Sequence, residues 1–357
     1  MKAIFAPDLR DFVPYQQLLS DALEKKNVQV SFVPGYRRVL PLSRSVSPLD
    51  GDLFHLHFID YLVKHNQRDL FRKLRLLPDL YIATRRMPLV YTVHDLFPTE
   101  WPEDWVNRML IRNFLRSASA LFLHSRVAKN VVCERFDVPD NRCHVVPHGD
   151  TSGFYGTPLP HHIARAQVGL GDEKICLAFG TIVPSKGIEE LVRFWIESKP
   201  DAVLAIVGHA FDSDYGQRIS RLAARAPNIH VRLGFQSNSQ VCAWLSAANC
   251  AVLNYRTIFT SGAACLIRSW GVPLLLPNRL ATIDLYEPHS LVFRYESLEE
   301  DFLPALSKAL SQGPDYSAAE SWRQETAWEA VAEKTAAIYR GVVTGGKTPL
   351  SEMREQR

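Results

Sequence analysis

The chain has 357 residues, 46% of them hydrophobic and 22% charged, the mixture of a globular protein, which excludes disorder, collagen-like repeats and coiled coils. Its length exceeds the roughly 250–300 residues at which single cores stop growing, so two domains are expected. The formal charge of +3 is too small to argue for nucleic acid, but it is uneven: residues 1–150 carry 21 Lys+Arg against 17 Asp+Glu, the rest 20 against 21.

Along the first half, the strand-like runs are Lys2–Phe5, Val28–Val33, Leu53–Phe58, Leu89–Val93, Ala120–His124 and His144–Val146. Helical patterns lie between several of them, at Pro14–Lys26, Trp105–Arg116 and Val127–Phe136. The segment Asp60–Leu77 interleaves Lys64, Arg68, Arg72, Lys73 and Arg75 with leucines and Phe71. Such a basic amphipathic helix can lie on an anionic leaflet, with Arg37, Arg38, Arg85 and Arg86 extending the patch, or it can be a solvated helix face. Pro147 to His162 is rich in Gly and Pro and breaks the periodicity, as an interdomain linker would.

The second half repeats the scheme. Strands are expected at Ile175–Phe179, Val203–Val207, Ile229–Val231, Cys250–Leu253, Leu274–Leu276 and Leu291–Phe293. Helices are expected at Ile188–Ser198, Tyr215–Ala226, Ser239–Ala247, Gly262–Trp270 and Leu298–Ser311, and one long pattern runs from Tyr316 to about Tyr339. Strand, helix, strand in alternation predicts an α/β fold of parallel sheets covered on both faces. The six cysteines form no Cys-x-x-Cys pair and suggest a reducing compartment. With no signal-like run after Met1 and no stretch of about 18 apolar residues, a cytoplasmic chain that does not span a membrane is expected.

In doubly wound domains ligands bind at the carboxyl ends of strands, and the motifs lie there. Phe179-Gly180 to Lys186-Gly187 joins a strand to a helix: Gly180 allows close approach to the backbone, and Lys186 stands where free N–H groups favour an anion such as a diphosphate. A plain turn with a solvated lysine would look similar. Asn254 to Ala264 does the same after another strand, with Thr260 or Ser261 as cap, Gly262 leaving N–H groups accessible and Arg256 able to add a forked contact. In the first half, His94, Asp95 and Glu100 follow the strand Leu89–Val93. There a carboxylate can take a proton from a hydroxyl and His94 can bind a sugar, or the acids can cap the next helix. Asp212-Ser213-Asp214 reads as a helix cap, and Gly345 to Thr348 lacks the rest of a phosphate loop. His55-Leu56-His57 puts two imidazoles on one strand face without further zinc ligands nearby.

Taken together, these residues resemble a GT-B glycosyltransferase of the family 4-like group over nearly the whole chain. Gly180–Gly187 is similar to the donor-phosphate loop, Val207-Gly208-His209 to the loop after the next strand, and Ser261–Pro273 to the donor helix. Pro7-Asp8-Leu9-Arg10, Pro14-Tyr15-Gln16, the His94 loop, Val146-Pro147-His148-Gly149 and Thr260-Ser261-Gly262 resemble bacterial exopolysaccharide β-mannosyltransferases of the xanthan type. The resemblance implies two Rossmann-like domains facing a central cleft: 1–150 for the acceptor, 151–160 as linker and 161–320 for the nucleotide sugar. A helix over 321–340 would return to the first domain, followed by a flexible tail, 341–357. It further implies transfer of a hexose, with GDP-mannose as the suggested donor, to a glycan or polyprenyl-diphosphate-linked acceptor at the inner face of the cytoplasmic membrane, without metal or other cofactor.

On this basis the donor is expected on Gly180, Lys186, Gly208, Arg256, Ser261 and Gly262. The acceptor side is expected at Arg10, Tyr15 and His148, with Asp95 as base, Glu100 or Asp8 as alternatives, and His94 positioning the sugar. Retaining members carry two glutamates where Ile258 and Leu266 stand, and tend to carry an arginine at the place of Thr181; these departures favour inversion and leave the phosphate contact to Arg256. A sugar-nucleotide 2-epimerase and a non-catalytic scaffold are the alternatives of the same architecture.

Overall fold

The computed structural model describes residues 1–11, 13–33, 40–46, 51–59, 62, 70–97, 101–256, 259–278 and 290–345. The chain divides into two compact units, Met1–Gly149 with the stretch from Ala327 onward, and Asp150–Thr326.

In the first unit the strands are β1 (Lys2–Ala6), β2 (Gln29–Phe32), β3 (Leu53–Leu56), β4 (Leu89–Thr92), β5 (Ala120–Leu123) and β6 (Cys143–Val145). Among the described residues they form one parallel sheet in the order β2-β1-β3-β4-β5-β6. Runs such as Ala120-Leu-Phe-Leu are buried at every position because helices cover both faces. The last helix, Trp328–Gly345, belongs to this unit. Its Val331, Ala332, Ala336 and Tyr339 join the core made by Phe5, Tyr15, Leu19 and Leu23.

The second unit repeats the design with β7 (Ile175–Phe179), β8 (Val203–Gly208), β9 (Ile229–Leu233), β10 (Cys250–Val252), β11 (Leu274–Pro277) and β12 (Val292–Tyr295) in the order β12-β11-β10-β7-β8-β9. Two apolar clusters form its core. One includes Trp244, Trp270 and Trp322; the other includes Trp195, Tyr295 and Phe302. All pairings are parallel, and the twelve expected strands are present with ends shifted by no more than two residues.

The helices depart more. Leu76–Arg86 was not expected, since Pro78 obscures its pattern, although proline is tolerated in a first turn. The expected linker holds a short helix, Ser152–Tyr155, and is followed directly by His161–Val168. The long C-terminal pattern is two helices, Glu320–Glu325 and Trp328–Gly345. The break comes where the Thr326 hydroxyl donates back to the Trp322 carbonyl at 2.7 Å. Much of the basic segment over 60–77 lies outside the described residues, and Lys73, which is described, does not face solvent. Lys73 is buried, donates to Asn107 Oδ1 at 2.8 Å and lies over the Trp101 ring, and Lys64, Arg68, Arg37 and Arg38 lie outside the described residues.

Candidate active site

In each sheet the chain order reverses at one place, and ligands bind outside the carboxyl ends of strands at such a switch. In the second unit the switch lies between β7 and β10. The loop after β7 carries Gly180, and a 3-10 turn, Pro184–Lys186, carries the lysine. The loop after β10 ends at Ser261, whose hydroxyl accepts from the Ala264 N–H at 3.1 Å and caps the helix Gly262–Ser269.

These pieces meet. A Cβ built on Gly180, which has φ +118°, would lie 3.5 Å from Lys186 Nζ and 3.7 Å from Ala263 Cβ. Gly180, the lysine and the first turn of the helix thus converge on one spot. Gly208, at the end of β8, lies against the same loop so closely that an added Cβ would fall 1.7 Å from the Gly180 carbonyl oxygen. Lys186 is held over the Tyr255 ring at 4.8 Å, and the Tyr255 hydroxyl is 3.5 Å from that of Ser261. The Asn254 amide braces the turn by donating to the Gly187 carbonyl at 2.9 Å while accepting from the Tyr295 hydroxyl at 2.9 Å. Gly262 is exposed, so the helix start is open to an anion.

Arg256 is placed differently from expectation. Its guanidinium pairs with Glu190, and its backbone N–H donates to Ser185. It is already neutralised, so Lys186 is the cation directly facing Gly180. Sequence reasoning also missed an aromatic group beside these loops. Phe211 (68% exposed) and Phe235 (63%) flank His209, which stacks on Phe235 with centroids 4.1 Å apart. Exposed phenylalanines directly after strands β8 and β9 were the available signal. Asp212, as expected, is a cap, accepting from the N–H groups of Asp214 and Tyr215.

In the first unit the switch lies between β1 and β3. Successive strands each end in a histidine: His57 after β3, His94 after β4, His124 after β5 and His148 after β6. The Tyr15 ring sits among them, with centroids 5.9, 5.1, 5.8 and 5.0 Å away, and Trp328 closes the group at 5.4 Å. Behind them His55 bonds to the Tyr339 hydroxyl and, at 2.7 Å, to that of Thr92. His94 stacks flat on Phe58 at 4.4 Å, and its Nε2 is 3.5 Å from His57 Nδ1.

Burial holds the imidazoles of His55, His57 and His94 well below their ordinary range and pushes His124 down to about 3. Each is therefore neutral at neutral pH. His124 Nδ1 bonds to the Val146 carbonyl at 2.9 Å, which fixes the proton there and leaves Nε2 as an acceptor. Among the described residues no group of three or more His, Cys, Asp or Glu side chains could hold a metal ion.

The three expected carboxylates separate. Asp95 is exposed directly after His94. Asp8 is clasped by Arg10, with Nε on Oδ1 at 2.9 Å and Nη2 on Oδ2 at 2.8 Å, and this hydrogen bonding lowers its pKa, making it a weaker base. Arg10 itself lies over the Phe32 ring at 3.9 Å. Glu100 lies outside the described residues, as do Ile258 and the Gly346–Thr348 part of the tail motif.

Comparison with known proteins adds three findings. Residues 15–151 match the model of Glycosyltransferase Family 4. A GDP-mannose:glycolipid 4-beta-D-mannosyltransferase of Xanthomonas campestris pv. campestris is 23% identical over 235 residues, 63% of this chain and 61% of that relative, so the match spans about three-fifths of its length. Among solved structures, sucrose-phosphate synthase from Thermosynechococcus elongatus superposes with a TM-score of 0.72 at 15% identity, covering 96% of this chain and 99% of the other. Anabaena Alr3699/HepE in complex with UDP and glucose gives 0.71 at 15%, covering 96% and 100%.

Proposed function

We propose that the chain is a family 4-like GT-B glycosyltransferase, supported by the match of residues 15–151 to that family and by the shared fold, and that it moves a hexose from a nucleotide sugar to a glycan acceptor, with inversion. The observation that carries this is the meeting of Gly180, Lys186 and the Ser261-capped helix start at the switch point of the second sheet. Backbone N–H groups and one ammonium there suit a diphosphate, and they stabilise it further as the sugar–phosphate bond breaks and negative charge develops. Phe211 and Phe235 offer ring faces to the base beside that loop.

At the acceptor end Asp95 removes the hydroxyl proton. His94, kept neutral by burial and fixed by Phe58, hydrogen-bonds the sugar without adding a charge. Asp8, already committed to Arg10, is set aside as base. GDP-mannose and a polyprenyl-diphosphate-linked oligosaccharide are the proposed donor and acceptor, supported by the name of the Xanthomonas relative. No helix among the described residues is long and apolar enough to cross a membrane. A proposed anionic leaflet would meet the exposed Tyr81 and Arg85 of Leu76–Arg86, since Lys73 points inward.

Incubation with GDP-, UDP- and ADP-hexoses, with and without the lipid-linked acceptor, tests this. The expected result is an acceptor-dependent product whose anomeric configuration is inverted relative to the donor. An epimerised nucleotide sugar formed from donor alone, or no turnover with any donor, contradicts it.

A further inference from the structure

The end of the second sheet away from the donor loops holds a cavity beside a buried guanidinium. Arg165, on the helix His161–Val168, is 6% exposed and makes no ion pair among the described residues. Its guanidinium donates instead to the Gly171 carbonyl, to Asn249 Oδ1 at 2.8 Å and to His161 Nε2 at 3.3 Å. Asp172 and Glu173 act on it through space without a direct ion pair, and burial still outweighs them, so a counter-ion in direct contact would offset the remaining desolvation cost.

Space for a counter-ion lies beside it. A cavity of about 190 Å³ is lined by Arg165, His161, His162, Lys174, Asn249 and one acid, Asp172. The helix start next to it has no side-chain cap and no acidic residue in its first turn, which adds to the positive field. His161 and Asn249 also line an adjoining cavity of about 380 Å³, where Trp270, Tyr316, Leu159 and Leu245 supply apolar and aromatic wall and Ser246 a hydroxyl. Arg323 lies over the Tyr316 ring at 3.8 Å and holds it in place. Ser246 accepts from the Leu159 N–H at 3.0 Å, so its own proton is available to a ligand.

The two cavities together are of small-molecule size, apolar at one end and carrying Arg165 and Lys174 against the single lining acid Asp172 at the other. A pyranose matches the first end, with its C–H face against rings and its hydroxyls on Ser246 and Asn249. An anionic substituent matches the second. We propose that this edge binds an anionic sugar, a hexose phosphate or a hexuronate, at a site separate from the donor loops. Lys174 and Asn249 immediately precede β7 and β10, whereas Gly180 and Asn254 follow them. The strand of five residues between Lys174 and Gly180 sets those two residues about 20 Å apart.

Calorimetric titration of the full chain with glucose 6-phosphate, glucuronate, glucose and inorganic phosphate, each with and without GDP, tests this. An anionic sugar should bind more tightly than glucose or inorganic phosphate, and GDP should not displace it. The relative affinity of the two anionic sugars tells phosphate from carboxylate. His162→Glu with Lys174→Glu, both at exposed positions, should weaken binding by about tenfold or more with unchanged thermal unfolding. Four results would overturn the site: no binding of either anionic sugar, inorganic phosphate or glucose binding as tightly, displacement by GDP, or indifference to the double variant. If GDP fails to bind while the sugar does, the donor assignment falls and this site stands.

Discussion

The two units place different materials at equivalent ends of similar sheets. In the second, the carboxyl edge is built of glycines, a capped helix start and one lysine, so what it offers a ligand is mostly backbone N–H and room. In the first, it is a packed layer of imidazoles around Tyr15, with His57, His94 and His124 kept neutral by burial, so what it offers is side-chain chemistry kept dry. The backbone-built edge should be broken by adding a single carbon and be insensitive to mild acid. The imidazole edge should respond in the opposite way.

The sharpest separation of the two edges is Asp95→Asn, which should lower turnover by about 10²–10⁴ while leaving nucleotide affinity unchanged, measured by steady-state kinetics beside calorimetry. An unchanged rate removes Asp95 from the role of base. Next in size is Gly208→Ala, whose Cβ would collide with the Gly180 carbonyl. Nucleotide affinity should fall about a hundredfold, and stability by about 1–3 kcal/mol as in overpacked cores. Wild-type affinity in that variant would mean that the loop does not hold the nucleotide.

Mild acid addresses the other edge. Unfolded histidines take up protons near pH 6.5, whereas His55, His57, His94 and His124 stay neutral in the fold to far lower pH. The unfolded chain therefore binds more protons, and stability present above pH 6.5 is lost as pH falls. Each buried imidazole should cost up to about 1.4 kcal/mol per pH unit in that window. Thermal unfolding at pH 7 and pH 5 should show the loss, and His124→Asn should flatten it; a melting temperature independent of pH would show that the imidazoles are not held neutral.

How much of this was legible in the sequence follows from the same contrast. Gly180, Lys186 and Ser261 stand between a strand and a helix, so a linear pattern exposes them. The imidazole layer depends on which strands are neighbours: His57, His94 and His124 lie far apart in sequence and meet only because β3, β4 and β5 are adjacent. Tyr15 was legible only through its resemblance to a motif, and its place among the rings needed the helix packing. Arg256 looked free because its partner, Glu190, comes from another helix. Lys73 looked solvated because periodicity does not reveal an inward amide such as Asn107. Phe211 and Phe235 were passed over because phenylalanine in a linear pattern is usually core.

The central claim is that the second unit's edge is a diphosphate cradle, and calorimetric titration of GDP into wild type and Lys186→Ala tests it most directly. Wild type should bind, and loss of one charge-assisted contact should weaken affinity about ten- to a hundredfold. Equal affinity in the two proteins would contradict the claim.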